Sequence, residues 1–117
     1  MAFKGLPYYL GVFVTRCTVA LRFVFRAKKD RDTVVVSSCS GWLRHMGRFH
    51  ESRIYHFALD TKLTWGYAEV QLLDQKKKLL CTLNARHPNH SIFLHRQKRY
   101  YLKWTFQRVS GQCVLTW

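Results

Sequence analysis

Acidic residues are scarce in this chain of 117 residues, which has 6 Asp and Glu against 20 Lys and Arg and a formal net charge of +14 at neutral pH. With so few carboxylates, nothing in the sequence pairs two acids as a glycosidase requires. The same imbalance means that the folded molecule attracts polyanions, whether nucleic acid, anionic lipid or an acidic protein. We therefore expect a negatively charged partner.

Proline, glycine and long apolar runs are also scarce. With 2 Pro, 6 Gly and no Ser-, Gly- or Pro-rich linker, the sequence predicts one basic β-rich domain over residues 1–117. The 8 Phe, 6 Tyr and 4 Trp exclude intrinsic disorder, because they supply ample area to bury. No uncharged run exceeds 11 residues, well short of the roughly 20 that a membrane-spanning helix needs, so no transmembrane segment is expected. Since no Gly-rich phosphate loop is present, no cofactor is expected.

The first 29 residues are apolar, basic and free of acids, as targeting segments often are. They also alternate in the manner of a half-buried strand from Cys17 to Arg26. Three interpretations stay open: an integral part of the fold, which is favoured, a targeting-like segment, or an anchor lying on a membrane surface. The second would give the protein an intracellular, mitochondrial location.

Short alternating or β-branched stretches between turn residues predict about eight strands. The expected fold is mainly β, an antiparallel meander closed as a small barrel or sandwich. One short helix is predicted near residues 41–50, where Trp42, Met46 and Phe49 recur at helical spacing. Hairpin turns are predicted at residues 60–62 and at the basic tip 74–78.

The clearest alternation runs from residue 99 to residue 108. It predicts a strand in which Tyr100, Leu102, Trp104 and Phe106 share the core face, while Tyr101 lies on the opposite face.

The cysteines and histidines form no recognisable metal motif. Cys17, Cys39, Cys81 and Cys113 are widely spaced, and their positions favour packing as small apolar side chains, with disulfides or metal ligation as alternatives. The weak metal candidate is the set Cys81, His87, His90 and His95. Because its spacing matches no zinc finger or ribbon, a solvated His-rich loop is favoured and no metal site is predicted.

Positive charge is concentrated at the two ends of the sequence. Residues 1–29 carry six basic residues and no acid, residues 76–117 carry nine and no acid, and all six acids lie between them. If the two ends meet in space, as chain ends often do in single domains, they form one positive face.

The strongest functional signal lies at residues 96–108, where cations that can contact phosphates alternate with aromatic rings that can stack on bases. Tyr101 is the candidate stacking residue, its alternative being an ordinary surface aromatic. The lysines at 76–78 are candidate phosphate contacts, their alternative being an edge that resists aggregation. The candidate nucleic-acid-binding residues are Arg22, Arg26, Lys28, Lys29, Arg31, Lys76, Lys77, Lys78, Arg86, Arg96, Lys98, Arg99, Tyr101, Lys103 and Arg108.

Together these features predict a non-enzymatic RNA-binding structural subunit of a ribonucleoprotein, such as an organellar ribosome, with other proteins of that complex as further partners. One alternative is a protein-interaction or membrane-surface module with an accessory or regulatory role. Another is a young or overprinted reading frame without a discrete site. No catalytic residue is assigned, and the one enzyme class that is not disfavoured is a metal-independent ribonuclease, with His90 or His95 beside Lys98, Arg99 and Tyr101.

Overall fold

In the computed structural model, the described residues are 13–19, 22–28, 30–47 and 49–117, with side chains described from residue 24 onward. All regular structure in these ranges is β. The strands are β1 (Phe13–Val19), β2 (Arg22–Lys28), β3 (Arg31–Gly47), β4 (Arg53–Leu73), β5 (Leu79–Leu83), β6 (Asn89–Leu94) and β7 (Tyr100–Thr116). Every pairing is antiparallel, which confirms the mainly β, antiparallel prediction.

Three long strands form the centre of the sheet in the order β3, β7, β4. Because these neighbours are not consecutive in the chain, the predicted meander is wrong. On one side, β1 and β2 pair with different parts of β3, and on the other side β5 and β6 pair with different parts of β4. Among the described strands no pairing joins the two edges, so closure into a barrel is not confirmed. No helix that could cross a membrane is found in the part of the chain that the structure describes.

Each long strand bends near its middle. The pairing of β3 with β7 shifts register between Val36 and Gly41, that of β4 with β7 shifts between Leu63 and Tyr67, and Arg108 in β7 has a φ of 50°. A straight strand as long as β4 would extend about 70 Å, whereas the longest dimension of the molecule is 39 Å. The bends therefore fold the sheet over on itself along a line that we call the crease, formed by residues 36–41, 63–67 and 108–111.

The folded sheet encloses its core between two halves. Asp32, near the start of β3, contacts His45, near the end of the same strand, which shows that the two halves face each other. Phe25, Val34, Leu43, Trp104 and Leu115 are fully buried there. The strand ends and turns opposite the crease form what we call the open end, where the turn 74–78 and the loop 95–99 lie.

The helix predicted near residues 41–50 is wrong for residues 41–47, which continue β3. Leu43 and His45 are buried while Trp42 and Arg44 are half-buried, a period of two. The same residues also fit helical spacing, but β1 and β7 pair with them on both sides and decide the conformation. Residues 49 and 50 are irregular.

The predicted turn at residues 60–62 is also wrong. These residues pair with residues 112–114 of β7, so β4 passes straight through them and bends later, at Gly66, whose φ is 89°. The turn at 74–78 is confirmed, as is the alternation in β7, where Tyr100, Leu102, Trp104 and Phe106 are at most 4% exposed.

The predicted N-terminal strand is divided between β1 and β2. Residues 1–12 lie outside the described residues. For them, the three interpretations (a part of the fold, a targeting-like segment or an anchor on a membrane surface) stay predictions.

Candidate nucleic-acid interface

The β4–β5 turn presents three lysines because an aspartate fixes its backbone. Asp74 Oδ1 accepts hydrogen bonds from the N–H groups of Lys76 and Lys78, both at 2.8 Å, and the Asp74 carbonyl accepts one from the Lys77 N–H at 2.8 Å. Lys77 occupies the left-handed region, with a φ of 63°. The Asp74 carboxylate is thus engaged with backbone amides, while the side chains of all three lysines are exposed.

The β6–β7 loop is anchored at both ends of its basic stretch. The His95 N–H donates to Tyr100 Oη at 3.0 Å, and the Arg96 N–H donates to Ser52 Oγ at 3.0 Å. Tyr100 itself is buried and packs edge-on against Phe49, with ring centroids 5.7 Å apart. The loop therefore holds the exposed side chains of Lys98 and Arg99 above a packed aromatic base.

These two segments line one pocket of about 400 Å³ at the open end. We call it the cationic pocket, and its lining residues are Asp74, Gln75, Lys76, Lys78, Lys98, Arg99 and Tyr100. Four cations face a single carboxylate there. Among the described residues, the one Lys or Arg in a direct ion pair is Arg53, 3.6 Å from Glu51. None of the four cations of the pocket makes such a pair, and Asp74 offsets only one of their charges.

Beside the pocket, the outer surface of β3 and β7 alternates cations with aromatic rings. Two cations lie over the Tyr101 ring. Arg44 Cζ is 5.6 Å from the centroid of the ring, and Lys77 Nζ is 5.8 Å from it. Lys103 Nζ lies 5.1 Å from the Trp42 ring and Arg44 Cζ lies 6.0 Å from it. These distances are typical of cation–π contacts. We call Trp42, Arg44, Tyr101 and Lys103 the cation–aromatic face.

Tyr101 and Lys103 were predicted to lie on this outer surface, whereas Trp42 and Arg44 were missed because that segment was predicted to be helical. The alternation of Trp42, Arg44 and Met46 with Leu43 and His45 is the signal that could have identified them.

The basic β2–β3 connection also lies at the open end. The backbone N–H of Trp117 donates to the Asp30 carbonyl at 3.2 Å. The Trp117 ring lies 5.9 Å from the ring of Phe49. Phe49 in turn packs on Tyr100, which lines the cationic pocket. The exposed Arg26, Lys28 and Arg31 belong to this part of the sheet.

The remaining candidates are more dispersed. Arg22 lies on β2, and its side chain is among those not described, while Lys29 lies outside the described residues. Arg86 is exposed in the β5–β6 loop, Arg96 is exposed in the β6–β7 loop, and Arg108 is exposed at the crease. The structure thus groups many of the predicted cations at the open end, but not all of them.

A second cavity, of about 690 Å³, opens at the crease. Its residues include Trp65, which is 70% exposed, and Tyr67, which is 40% exposed, together with Arg108. The charge pattern identifies Arg108 but not Trp65, because the stretch around Trp65 reads in the sequence only as an ordinary strand.

The weak metal candidate is not assembled. Cys81 is buried on β5, whereas His87, His90 and His95 are exposed, and no group of three or more metal-binding side chains occurs among the described residues. Cys81 and Cys113 are free, buried thiols, and burial raises the pKa of each to about 11. Both behave as small core side chains, as predicted.

No family model matches the sequence, and no curated protein matches it. A structure of the enzymatically active domain of tailspike protein 4 from bacteriophage CBA120 superimposes with a TM-score of 0.48 at 9% identity, over 97% of this chain and 20% of that chain. A second structure, described as CBM4, gives a TM-score of 0.39 at 8% identity, over 97% of this chain and 79% of that one. This chain thus spans one fifth of the tailspike chain, and neither similarity identifies a family or a function.

Proposed function

We propose that this protein is a non-enzymatic, RNA-binding structural subunit of a ribonucleoprotein, of the kind that organellar ribosomes contain. The observation that carries the proposal is the convergence of Lys76 and Lys78 with Lys98 and Arg99 on one pocket. Like charges held together repel unless an anion neutralises them. Because Asp74 offsets only one of the four positive charges, the pocket suits a phosphate group supplied by a partner.

The cation–aromatic face adds contacts beyond the cationic pocket, so that the site can bind a polymer and not only a single anion. The outward-facing row of β7 begins at Tyr101, beside the cationic pocket, and reaches Gln107 at the crease, about 20 Å away at the usual rise of a strand. Cations that contact phosphates and rings that stack on bases are the combination by which proteins hold single-stranded RNA. A small anion would need the pocket alone, whereas this row favours an extended chain.

The architecture supports such a role, since we infer that the folded sheet is a two-layered sandwich and not a barrel. The buried ion pair of Asp32 and His45 and the core around Trp104 hold the two layers together. A shared core holds the residues of the outer faces on one folded sheet, so that less order has to be gained when RNA binds.

The test is the size of the native particle, measured on a density gradient before and after ribonuclease treatment. We expect the wild-type protein to sediment in a large particle that shrinks on digestion. The variant Lys76→Gln/Lys78→Gln/Lys98→Gln/Arg99→Gln should not enter that particle, although it folds. A large particle that survives complete digestion would contradict the proposal.

A second candidate function, protein interaction, is favoured by one observation. Ile54 and Phe93 face each other across the β4–β6 pairing and are 53% and 49% exposed. Exposed apolar neighbours are typical of protein contacts, although two side chains make a small patch. If this face is the binding surface, the native particle resists ribonuclease and salt, and Phe93→Ser releases the protein from it.

A further inference from the structure

We propose that the cavity at the crease is a base-stacking subsite, in which the Trp65 ring holds an unpaired nucleobase and Arg108 holds the adjoining phosphate. This inference rests on the proposed RNA binding and deepens it, since it assigns recognition of the base to a site separate from the cationic pocket.

Two aromatic side chains supply the stacking surface. Trp65 is 70% exposed and Tyr67 is 40% exposed, and both line the same cavity. Tyr67 is held by its hydroxyl, which donates to Glu69 Oε1 at 2.8 Å and accepts from Asn84 Nδ2 at 3.3 Å. A single exposed aromatic is common on protein surfaces, but here two of them share one concave surface and one is fixed in place.

The bend itself places a cation beside these rings. Arg108 has a φ of 50°, a region that bulky residues rarely occupy and that Gly or Asn adopts more easily. The Arg108 N–H donates to Ser40 Oγ of β3 at 3.1 Å. The Arg108 carbonyl lies so close to Gly66 of β4 that a Cβ added there would be 2.2 Å from the carbonyl oxygen. Three strands are therefore in close contact at this point. An uncommon backbone conformation that presents an exposed Arg is typical of binding sites.

The size and polarity of the cavity suit a nucleotide. Its volume of about 690 Å³ falls within the range of small-ligand sites. The lining includes Trp65 and Tyr67, which carry aromatic rings, and the exposed residues Gln107 and Arg108. The side chain of Gln107 is an amide that can donate to and accept from a base edge, and that of Arg108 is a cation. A neutral sugar ring could also stack on a Trp, but the adjacent Arg and the net charge of +14 favour an anionic ligand.

The crease cavity and the cationic pocket lie at opposite ends of the outward-facing row of β7. One RNA strand that follows this row would place phosphates at the pocket and a base on Trp65. At about 3.4 Å per nucleotide of a stacked strand, a span of about 20 Å takes about 6 nucleotides. That number falls within the site size of roughly 4–16 nucleotides that one OB-fold domain binds. The cationic pocket thus binds phosphates, and the crease cavity stacks a base.

The experiment compares binding of a 12-nucleotide oligouridine with binding of the same oligomer made abasic at its central positions, which keeps every phosphate. For the wild-type protein we expect the abasic oligomer to bind roughly fivefold to a hundredfold more weakly, the range expected for loss of one stacked base. In Trp65→Ala this difference should vanish, while the dependence of binding on salt stays at the wild-type slope. Trp65→Phe should retain most of the difference.

The matched control is Leu79→Ala, which removes another exposed apolar side chain, 51% exposed, that is not among the residues lining the cavity. It should keep the wild-type difference between the two oligomers. Wild-type binding that is insensitive to the removal of bases, or an equal loss for both oligomers in Trp65→Ala, overturns the stacking subsite alone. Protection of Trp65 by a neutral oligosaccharide but not by RNA also overturns it. If the wild-type protein binds neither oligomer at low salt, the proposed RNA binding fails as well.

Discussion

His45 Nε2 lies 2.6 Å from Asp32 Oδ2, so the two ends of a single bent strand are joined by a buried ion pair. Trp104 Nε1–H donates to the same carboxylate oxygen at 3.1 Å, and His45 Nδ1 lies 3.2 Å from the Met46 carbonyl. Because both ring nitrogens face acceptors, this geometry favours the charged, doubly protonated imidazole. The pair closes the two halves of the sheet over the core.

This pair makes stability depend on pH. Burial alone would lower the pKa of His45, but the charge of Asp32 and the hydrogen bonds to Asp32 and to the Met46 carbonyl outweigh it and raise the pKa above 6.5. The contribution of His45 is therefore fully present below pH 6.5 and is lost as the pH rises through the folded-state pKa. Urea unfolding should show the wild-type free energy falling with pH in that window relative to His45→Gln.

The control for this experiment is His95→Gln, which alters an exposed histidine. This variant should follow the wild-type pH dependence. A wild-type protein whose stability changes with pH in parallel with His45→Gln would show that folding does not raise the pKa of His45.

Gly66 is required at the crease. A Cβ there would meet Arg108 O at 2.2 Å and Gln107 O at 2.6 Å, and the φ of 89° is unfavourable for any other residue. Both contacts are with backbone, so the neighbours cannot move aside cheaply. Gly66→Ala should lower the free energy of unfolding by about 1–3 kcal/mol, measured by urea denaturation. Gln112→Ala, an exposed substitution in the same region of β7, should change it by less than about 0.5 kcal/mol.

The buried thiols should be inert in the folded protein. Burial raises the pKa of Cys81 and of Cys113 to about 11, and the charge of Asp60 adds to the effect at Cys113. Since the thiolate is the reactive form, iodoacetamide at pH 8 should label neither residue in the native state and both in urea, as read by peptide mass spectrometry. Rapid native labelling of either one would contradict the burial of β5 or β7.

The local alternation in the sequence predicted most of the β structure, and β7 shows why. Tyr100, Leu102, Trp104 and Phe106 alternate with polar residues, and that period admits no helix. Residues 41–47 fit both the helical period and the strand period of two. Only their pairing with β1 and β7 could decide between a helix and a strand.

Features that depend on the folding over of the sheet could not be predicted. Asp60 to Lys62 has turn chemistry but lies within a strand, because residues 112–114, some fifty positions later, pair with it. The convergence of Lys76 with Lys98 depends on the pairing of Leu73 with Tyr101 across β4 and β7, and the burial of Asp32 against His45 depends on the bend in β3. The charge pattern identified the basic residues of the site, but it could not show which of them share one pocket.

The most direct test of the account is the salt dependence of binding to a single-stranded oligoribonucleotide. For the wild-type protein, the log of the binding constant should fall against the log of salt concentration with a slope of about −4 or steeper, since each neutralised phosphate contributes about −0.7. The variant Lys76→Gln/Lys98→Gln removes two cations and should make that slope shallower by about 1.4. The control is Lys62→Gln, which alters an exposed lysine on β4 outside the pocket and should change the slope far less. A flat wild-type response, or equal effects of the pocket and control variants, would contradict the claim that the cationic pocket binds RNA.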